Sequence, residues 1–132
     1  MANVMFVDDD VDSLEMFKKC VEIFGHQAVT ACSPQEAIQL AQSRELDVVF
    51  VDLYLANASG LEVVTALRKL GKTARTPVYV LSAGSEYELD QSIEHSGANA
   101  YLQKPVHMQN LLAAISHAIS KTSPSVSLGG VR

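Results

Sequence analysis

Short apolar segments alternate with amphipathic segments along the first part of the chain. Residues 3–7 form a largely apolar run that ends abruptly in acidic residues, as expected for a buried parallel strand. The apolar residues that follow recur at helical spacing, and Gly25 stands where a left-handed helix cap is expected. These helical positions are Leu14, Phe17, Val21 and Phe24. The pattern predicts a strand followed by a helix.

The same alternation continues along the rest of the chain. A short strand around residues 28–31 precedes the segment 33–36, which combines an N-cap serine, a proline at the first helical position and a glutamate three residues after the serine. The later predicted strands cover residues 47–51, 78–81 and 100–102, and the later predicted helices run from Gly60 to Gly71, from Glu86 to Ser96 before Gly97, and through Leu111, Ile115 and Ala118. The chain therefore contains five predicted βα units.

This alternation predicts the fold class and the domain organisation. Repeated βα units favour an α/β fold with a parallel sheet, helices on both faces and right-handed crossovers. Ligands of such sheets bind beyond the carboxyl ends of the strands. The chain has 132 residues, enough for one well-filled core but too few for two ordinary domains. We predict one domain over residues 1–121, and a flexible tail or the start of a linker over residues 122–132.

Charge and composition narrow the range of functions. The formal net charge is −5, and the ten Lys and Arg residues are scattered, which argues against direct nucleic-acid binding. No apolar run approaches the roughly 20 residues that a membrane-spanning helix needs, so we expect no membrane contact and a cytoplasmic location. Cys20 and Cys32 have neither metal-site nor disulfide spacing, which predicts free thiols that are buried or neutral.

Acidic residues close two of the predicted strands. Asp8 and Asp9 follow the first strand, and Asp52 follows the third. A single acid after a strand is usually a solvated turn residue, but two neighbouring strand ends would gather these carboxylates in one pocket. A hard cation such as Mg²⁺ would relieve their repulsion. Asp52 is the candidate nucleophile, because an aspartate can form an acyl phosphate when cations neutralise the phosphoryl oxygens.

Two further polar residues lie at strand ends. Lys104 follows the fifth predicted strand, where its ammonium group can contact both the Asp52 carboxylate and an incoming phosphoryl group. Ser82 follows the fourth strand and can donate to a phosphoryl oxygen. Taken alone, Lys104 would be a plain surface charge and Ser82 a helix N-cap. Their interpretation therefore depends on the acidic residues.

Taken together, these residues resemble the response-regulator receiver family of two-component signalling. The resemblance covers residues 3–120 in order and spacing, and it rests on Asp8-Asp9, Asp52, Ser82 and Lys104-Pro105. It implies a flavodoxin-like (βα)5 sandwich with a five-stranded parallel sheet in the order 2-1-3-4-5. Three residues differ from the usual family pattern without removing a chemical group: Ala56 replaces a proline, Ser59 an acidic residue and Val106 an aromatic residue.

The resemblance also implies roles for individual residues. The metal ligands for Mg²⁺, or alternatively Mn²⁺, would be Asp8, Asp9, Asp52 and the backbone carbonyl of Tyr54. Asp52 would accept the phosphoryl group with the help of Lys104 and Ser82, and Ser82 and Tyr101 would change conformation with phosphorylation. Family members also suggest a cis bond between Lys104 and Pro105. Tyr54 and Gly84 lie two residues after Asp52 and Ser82, where side chains govern water access, so we expect both to influence hydrolysis.

The partners follow from the same resemblance. The phosphoryl donor would be the phosphohistidine of a sensor histidine kinase or of a histidine phosphotransfer protein. The signalling face would span residues 86–121 and would contact a downstream protein, an output domain or a second copy of the chain. We therefore expect a switch that catalyses only its own phosphorylation and dephosphorylation, and not an enzyme acting on external substrates.

Three alternative interpretations are weaker. Asp8, Asp10 and Asp12 match positions one, three and five of a calcium-binding loop, but Ser13 and Lys19 replace its glycine and its bidentate glutamate. A phosphatase of the haloacid-dehalogenase type would need a second aspartate motif that is not matched cleanly, and room for a cap insertion. A phosphorylation-independent interaction module would not need the reactive residues that this chain retains.

Overall fold

The computed structural model of the protein describes residues 1–83 and 96–122. Strands with buried apolar side chains alternate with amphipathic helices, as the sequence pattern predicts. In chain order the elements are β1 (Asn3–Val7), α1 (Val11–Ile23), β2 (Gln27–Ala31), α2 (Pro34–Ser43), β3 (Val48–Asp52), β4 (Tyr54–Leu55), β5 (Ala58–Ser59), α3 (Gly60–Arg68), β6 (Val78–Ser82), β7 (Ala100–Gln103) and α4 (Met108–Thr122). None of the helices described is long and apolar enough to cross a membrane.

Five of these strands form one parallel sheet in the order β2-β1-β3-β6-β7. This is the 2-1-3-4-5 order expected from the family resemblance. All five residues of β3 are buried, because β3 lies at the centre of the sheet. From β1 the chain crosses to β2 on one side of it and then returns to β3 on its other side. The strand order therefore reverses at β1, and the crevice for ligands lies between the carboxyl ends of β1 and β3.

The two faces of the sheet carry separate apolar cores. One core joins Phe6, Phe50 and Tyr79 of the sheet to α1 and α4, and the rings form a stack. The centroids of neighbouring rings are 5.2 Å apart for Phe6–Phe17, 5.3 Å for Phe6–Phe50 and 5.4 Å for Phe50–Tyr79. The other core contains the alternate strand residues and lies under α2 and α3. The sheet is therefore fixed from both sides.

The predicted helix boundaries are largely confirmed by their caps. The Ser33 hydroxyl accepts a hydrogen bond from the Glu36 backbone N–H at 3.2 Å, at the start of α2. Gly25 has a φ of +89°, as the predicted left-handed stop after α1 requires. The prediction for Phe24 is wrong: its spacing placed it on the first helix with Leu14, Phe17 and Val21, but it follows the end of α1 and is 56% exposed.

Arg68 joins the end of α3 to the segment that enters β7. Its guanidinium donates four hydrogen bonds at the edge of the sheet opposite the acidic residues. The acceptors are the backbone carbonyls of Thr73 at 2.9 Å, Thr76 at 2.6 Å and Gly97 at 3.0 Å, and the side-chain oxygen of Asn99 at 2.9 Å. One side chain therefore fixes two loops. Gly97 has a φ of +97°, in agreement with the stop predicted after residue 96.

Other features of the fold differ from the sequence prediction, and some predictions fall on residues that the structure does not describe. The antiparallel pair β4–β5 was not predicted, and α3 ends at Arg68, short of Gly71. The predicted helix from Glu86 to Ser96 lies outside the described residues except for Ser96. The predicted tail over residues 122–132 also lies outside them except for Thr122, which belongs to α4. The Lys104–Pro105 bond is cis. Both cysteines are free: Cys20 is half-buried, and Cys32 is exposed with its pKa raised by a hydrogen bond to Glu36.

Candidate functional site

The carboxyl ends of β1 and β3 bring three acidic residues together. Asp8 and Asp9 follow β1 directly, and Asp52 is the last residue of β3. Each contributes a carboxylate oxygen, and these oxygens all lie within 4.8 Å of one another. Asp8 and Asp52 are only 4% and 6% exposed, whereas Asp9 is exposed. The convergence predicted from the two strand ends is therefore present.

The two buried carboxylates repel each other. Burial raises the pKa of Asp8 from its ordinary value of 3.8 to about 6, and the charge of Asp52 adds to the rise. The backbone N–H of Asp10 donates to Oδ1 of Asp8 at 3.0 Å and opposes this change, as does the charge of Lys104. The pocket therefore holds more negative charge than its own hydrogen bonds compensate, which is the electrostatic condition for binding a cation.

Lys104 supplies a positive charge on the other side of Asp52. Its Nζ lies 3.0 Å from Oδ1 of Asp52. The Lys104 backbone N–H donates to the Ser82 carbonyl at 2.9 Å, which extends the β6–β7 pairing by one residue. The lysine is therefore held by the sheet itself, at the edge where its position in the sequence placed it.

Ser82 and Tyr101 lie near this edge on β6 and β7. Ser82 is the last residue of β6 and is only 1% exposed. Tyr101 is half-buried, and its neighbours belong to the core under α2 and α3. Gly84, the other predicted residue of this region, lies outside the described residues. The positions of Ser82 and Tyr101 agree with the expected placement, and their switching roles stay predictions.

Tyr54 begins the short β4–β5 ribbon, two residues after Asp52. Its side chain is 70% exposed. The ribbon returns the chain to Gly60, whose backbone N–H donates to the Leu53 carbonyl at 2.6 Å. Ser59, which replaces an acidic residue of the usual pattern, forms a capping box with Glu62 at the start of α3. The replacement therefore keeps the helix start that positions this loop.

Gly60 is a site residue whose importance is not evident from the sequence. A Cβ atom at this position would overlap the backbone oxygen of Asp52 and would lie 2.9 Å from Cγ1 of Val51. The absence of a side chain therefore lets α3 begin directly against the end of β3. The glycine was visible in the sequence as a helix start, but its close approach to Asp52 depends on how the loop folds back.

Fold and site together define a class: an α/β domain with an acidic crevice and a lysine at the carboxyl edge of a 2-1-3-4-5 sheet. Residues 4–116 match the response regulator receiver domain, so the chain belongs to this family of two-component signalling proteins. The predicted family is confirmed. The polar-differentiation response regulator DivK of Brucella ovis is 27% identical over 113 residues, which cover 86% of this chain and 92% of that protein.

Solved structures confirm the fold. The chemotaxis protein CheY4 of Vibrio cholerae is 29% identical, with a TM-score of 0.85 over 89% of this chain and 98% of that one. The receiver domain of the sensor histidine kinase PA1611 from Pseudomonas aeruginosa PAO1 is 19% identical, with a TM-score of 0.80 over 89% and 97% of the two chains. That structure has a magnesium ion coordinated in its active-site cleft.

Proposed function

We propose that this chain is a phosphorylation-dependent receiver in which Asp52 accepts a phosphoryl group from a phosphohistidine. The donor is a sensor histidine kinase or a histidine phosphotransfer protein. One observation carries the proposal: Asp52 is buried at the end of the central strand, with an ammonium group 3.0 Å away and two further carboxylates beside it. A carboxylate nucleophile between a cation and a metal-binding pair has the charges that phosphoryl transfer requires.

The carboxylates of Asp8, Asp9 and Asp52, with the backbone carbonyl of Tyr54, would hold Mg²⁺, with Mn²⁺ as the alternative. This donor set fits a hard cation, because it consists of oxygens and is small enough to leave positions for water and phosphate oxygens. The bound ion would supply charge neutralisation at the phosphoryl oxygens. The magnesium ion in the Pseudomonas receiver supports this choice of metal.

The proposed transfer exchanges one bond to phosphorus for another. The phosphorus–nitrogen bond of the donor histidine breaks, its electron pair returns to the imidazole nitrogen, and an Asp52 oxygen forms the new bond to phosphorus. Lys104 would shift from the Asp52 carboxylate to a phosphoryl oxygen, and Ser82, at the end of β6, would donate a hydrogen bond to another. Attack by water later releases inorganic phosphate and restores the carboxylate. The chain is thus a switch and not an enzyme for external substrates.

The response to phosphorylation would reach partners through residues 86–121. Ser82 ends β6 just before this segment, and Tyr101 on β7 lies within it. A phosphoryl group that attracts Ser82 would therefore shift an existing equilibrium between two arrangements of this face. We expect the partner that binds this face to be a downstream protein, an output domain or a second copy of the chain. A histidine kinase donor places this exchange in the cytoplasm.

The test is phosphorylation by a small donor. We would incubate the full chain with acetyl phosphate and Mg²⁺ and look by intact mass for a single added phosphoryl group. Asp52→Asn removes the nucleophile, and Asp12→Asn, an exposed acid on α1, is the matched control. EDTA replaces Mg²⁺ in a parallel sample.

An adduct that requires both Mg²⁺ and Asp52, and that survives in Asp12→Asn, would support the proposal. No adduct in the folded wild-type chain would contradict it and favour a phosphorylation-independent interaction module. Release of phosphate from a generic phosphoester in many turnovers would instead favour the phosphatase alternative.

A further inference from the structure

Three acidic residues follow β1 in a row, but only the first two belong to the acidic pocket. The cluster of carboxylates that lie within 4.8 Å of one another contains Asp8, Asp9 and Asp52. Asp10 uses both carboxylate oxygens elsewhere: Oδ1 accepts the backbone N–H of Asp12 at 3.2 Å, and Oδ2 accepts the Ser13 hydroxyl at 2.9 Å. Asp10 is therefore the N-cap of α1 and not a further carboxylate ligand for a cation.

The backbone of Asp10 nevertheless contacts the pocket. Its N–H donates to Oδ1 of Asp8 at 3.0 Å. Because Asp8 is 4% exposed, few alternative donors from solvent can replace this hydrogen bond. The bond therefore fixes how the buried Asp8 carboxylate faces Asp9 and Asp52.

Asp10 takes part both in the hydrogen bonds that cap α1 and in the hydrogen bond to Asp8. The side chain of Asp10 fixes the φ of −95° and ψ of 107° at which the chain leaves the strand and enters α1. That backbone conformation in turn decides where the Asp10 N–H points. Loss of the cap would let the first turn of α1 fray, and the N–H that holds Asp8 would lose its fixed direction.

We propose that Asp10 is a positioning residue for the metal pocket: its side chain caps α1 and thereby holds the backbone N–H that orients the Asp8 carboxylate. The proposal rests on the metal-binding part of the proposed function. It goes beyond that function because it assigns a role to an acid that does not itself ligate the ion. Partners that orient a metal ligand commonly change metal affinity by about 10- to 100-fold when they are removed.

The test compares Asp10→Ala with Asp10→Ser. Both variants lose the negative charge of Asp10, so their long-range effect on a cation is the same, and only serine keeps a capping oxygen. We would titrate Mg²⁺ into each folded variant and follow backbone amide chemical shifts to obtain Kd. We expect Asp10→Ser to bind Mg²⁺ roughly tenfold more tightly than Asp10→Ala, at the low end of the usual range.

A second variant separates this role from simple loss of a helix cap. Ser33→Ala removes the corresponding N-cap hydrogen bond of α2, where the Ser33 hydroxyl accepts from Glu36. We expect it to lower Tm about as much as Asp10→Ala and to leave the Mg²⁺ Kd unchanged. Equal Kd values for Asp10→Ala and Asp10→Ser would overturn the positioning role alone. A wild-type chain that does not bind Mg²⁺ would overturn the proposed function and the positioning role together.

Discussion

Replacing Asp8 by asparagine should stabilise the metal-free protein at neutral pH. Asp8 is almost completely buried, and burial together with the charge of Asp52 raises its pKa from 3.8 to about 6. The ionised form is therefore unfavourable in the folded chain. Asparagine keeps the oxygen that accepts the Asp10 N–H at 3.0 Å but carries no charge. We expect Asp8→Asn to raise the free energy of unfolding.

The pKa shift of Asp8 determines both the size and the pH dependence of the gain in unfolding free energy. A rise in pKa from 3.8 to about 6 corresponds to about 3 kcal/mol of lost stability once Asp8 is fully ionised. Between these two values the folded chain holds the Asp8 proton more tightly than the unfolded chain, so its contribution to stability falls as the pH rises. The advantage of Asp8→Asn should therefore be about 1 kcal/mol at pH 4.5 and should reach about 3 kcal/mol at pH 7.5.

Urea unfolding in EDTA at pH 4.5, 6 and 7.5 measures this difference directly. Asp12→Asn, which removes an exposed charge from the first turn of α1, should change stability by less than about 1 kcal/mol at each pH. Adding Mg²⁺ should narrow the gap, because only the wild-type chain keeps the full set of carboxylates for the ion. The reasoning is refuted if Asp8→Asn is no more stable than wild type at pH 7.5, or if the gap does not change with pH.

Three further predictions concern neighbouring parts of the fold. Gly60→Ala places a Cβ atom against the Asp52 carbonyl, so it should lower the free energy of unfolding in urea by at least about 2 kcal/mol and lower the phosphorylated fraction. Gly71→Ala is the control: no atom lies within 4 Å of its new Cβ, so its free energy of unfolding should stay within about 0.5 kcal/mol of wild type. Similar behaviour of the two variants would contradict the steric argument. Arg68→Ala loses four hydrogen bonds from a charged donor and should cost about 2 kcal/mol or more in the same assay. Arg68→Lys cannot reproduce the fork of donors and should recover less than half of the lost free energy of unfolding. A lysine variant as stable as wild type would disprove the role of Arg68 in fixing the two loops. Tyr54→Ala should speed loss of the phosphoryl group by less than about tenfold, because the Tyr54 side chain is largely exposed and shields the acyl phosphate from water only in part. Intact mass after removal of acetyl phosphate measures the rate. An unchanged or slower rate would rule out the shielding.

The sheet was predictable because its strands are short and carry strong signals. The third strand, for example, was predicted over residues 47–51 and spans Val48–Asp52. β-branched residues and an abrupt acidic end identify such a strand without any tertiary information. The β4–β5 ribbon gave no such signal, because strands of two residues are too short to show an alternating pattern. Its existence depends on the turn between Leu55 and Ala58.

Helical spacing located the helices better than their ends. Phe24 continues the apolar spacing of α1, yet it serves as the C-cap with a φ of −95° and a ψ of 15°. Its backbone N–H donates to the Val21 carbonyl at 3.1 Å, and the N–H of Gly25 donates to the Glu22 carbonyl at 3.0 Å. These bonds span three residues and not four, so the regular helical pattern ends at Ile23. Spacing alone does not distinguish the last helical residue from the first one beyond it. The side chain consequently points to solvent and not to the core.

The residues of the site were found from the sequence, but their electrostatic differences were not. Asp8, Asp9 and Asp10 have the same side chain, and the chain changes from strand to helix within these three residues. Asp8 therefore remains at the buried sheet edge, Asp9 is exposed at the rim of the pocket, and Asp10 caps α1. Position relative to this change of backbone, and not residue type, buries Asp8 and so raises its pKa.

This arrangement couples the proposed metal site to the stability of the fold. The burial of Asp8 that destabilises the metal-free chain also removes water that would otherwise compete for its carboxylate oxygens. A proton and a cation then become alternative ways to neutralise Asp8, so Mg²⁺ affinity should fall as the pH drops through about 6. Lys104 offsets the charge of Asp8 only in part, because its ammonium group pairs with Asp52. Asp8 is thus the residue through which we expect pH, metal binding and folding stability to influence one another.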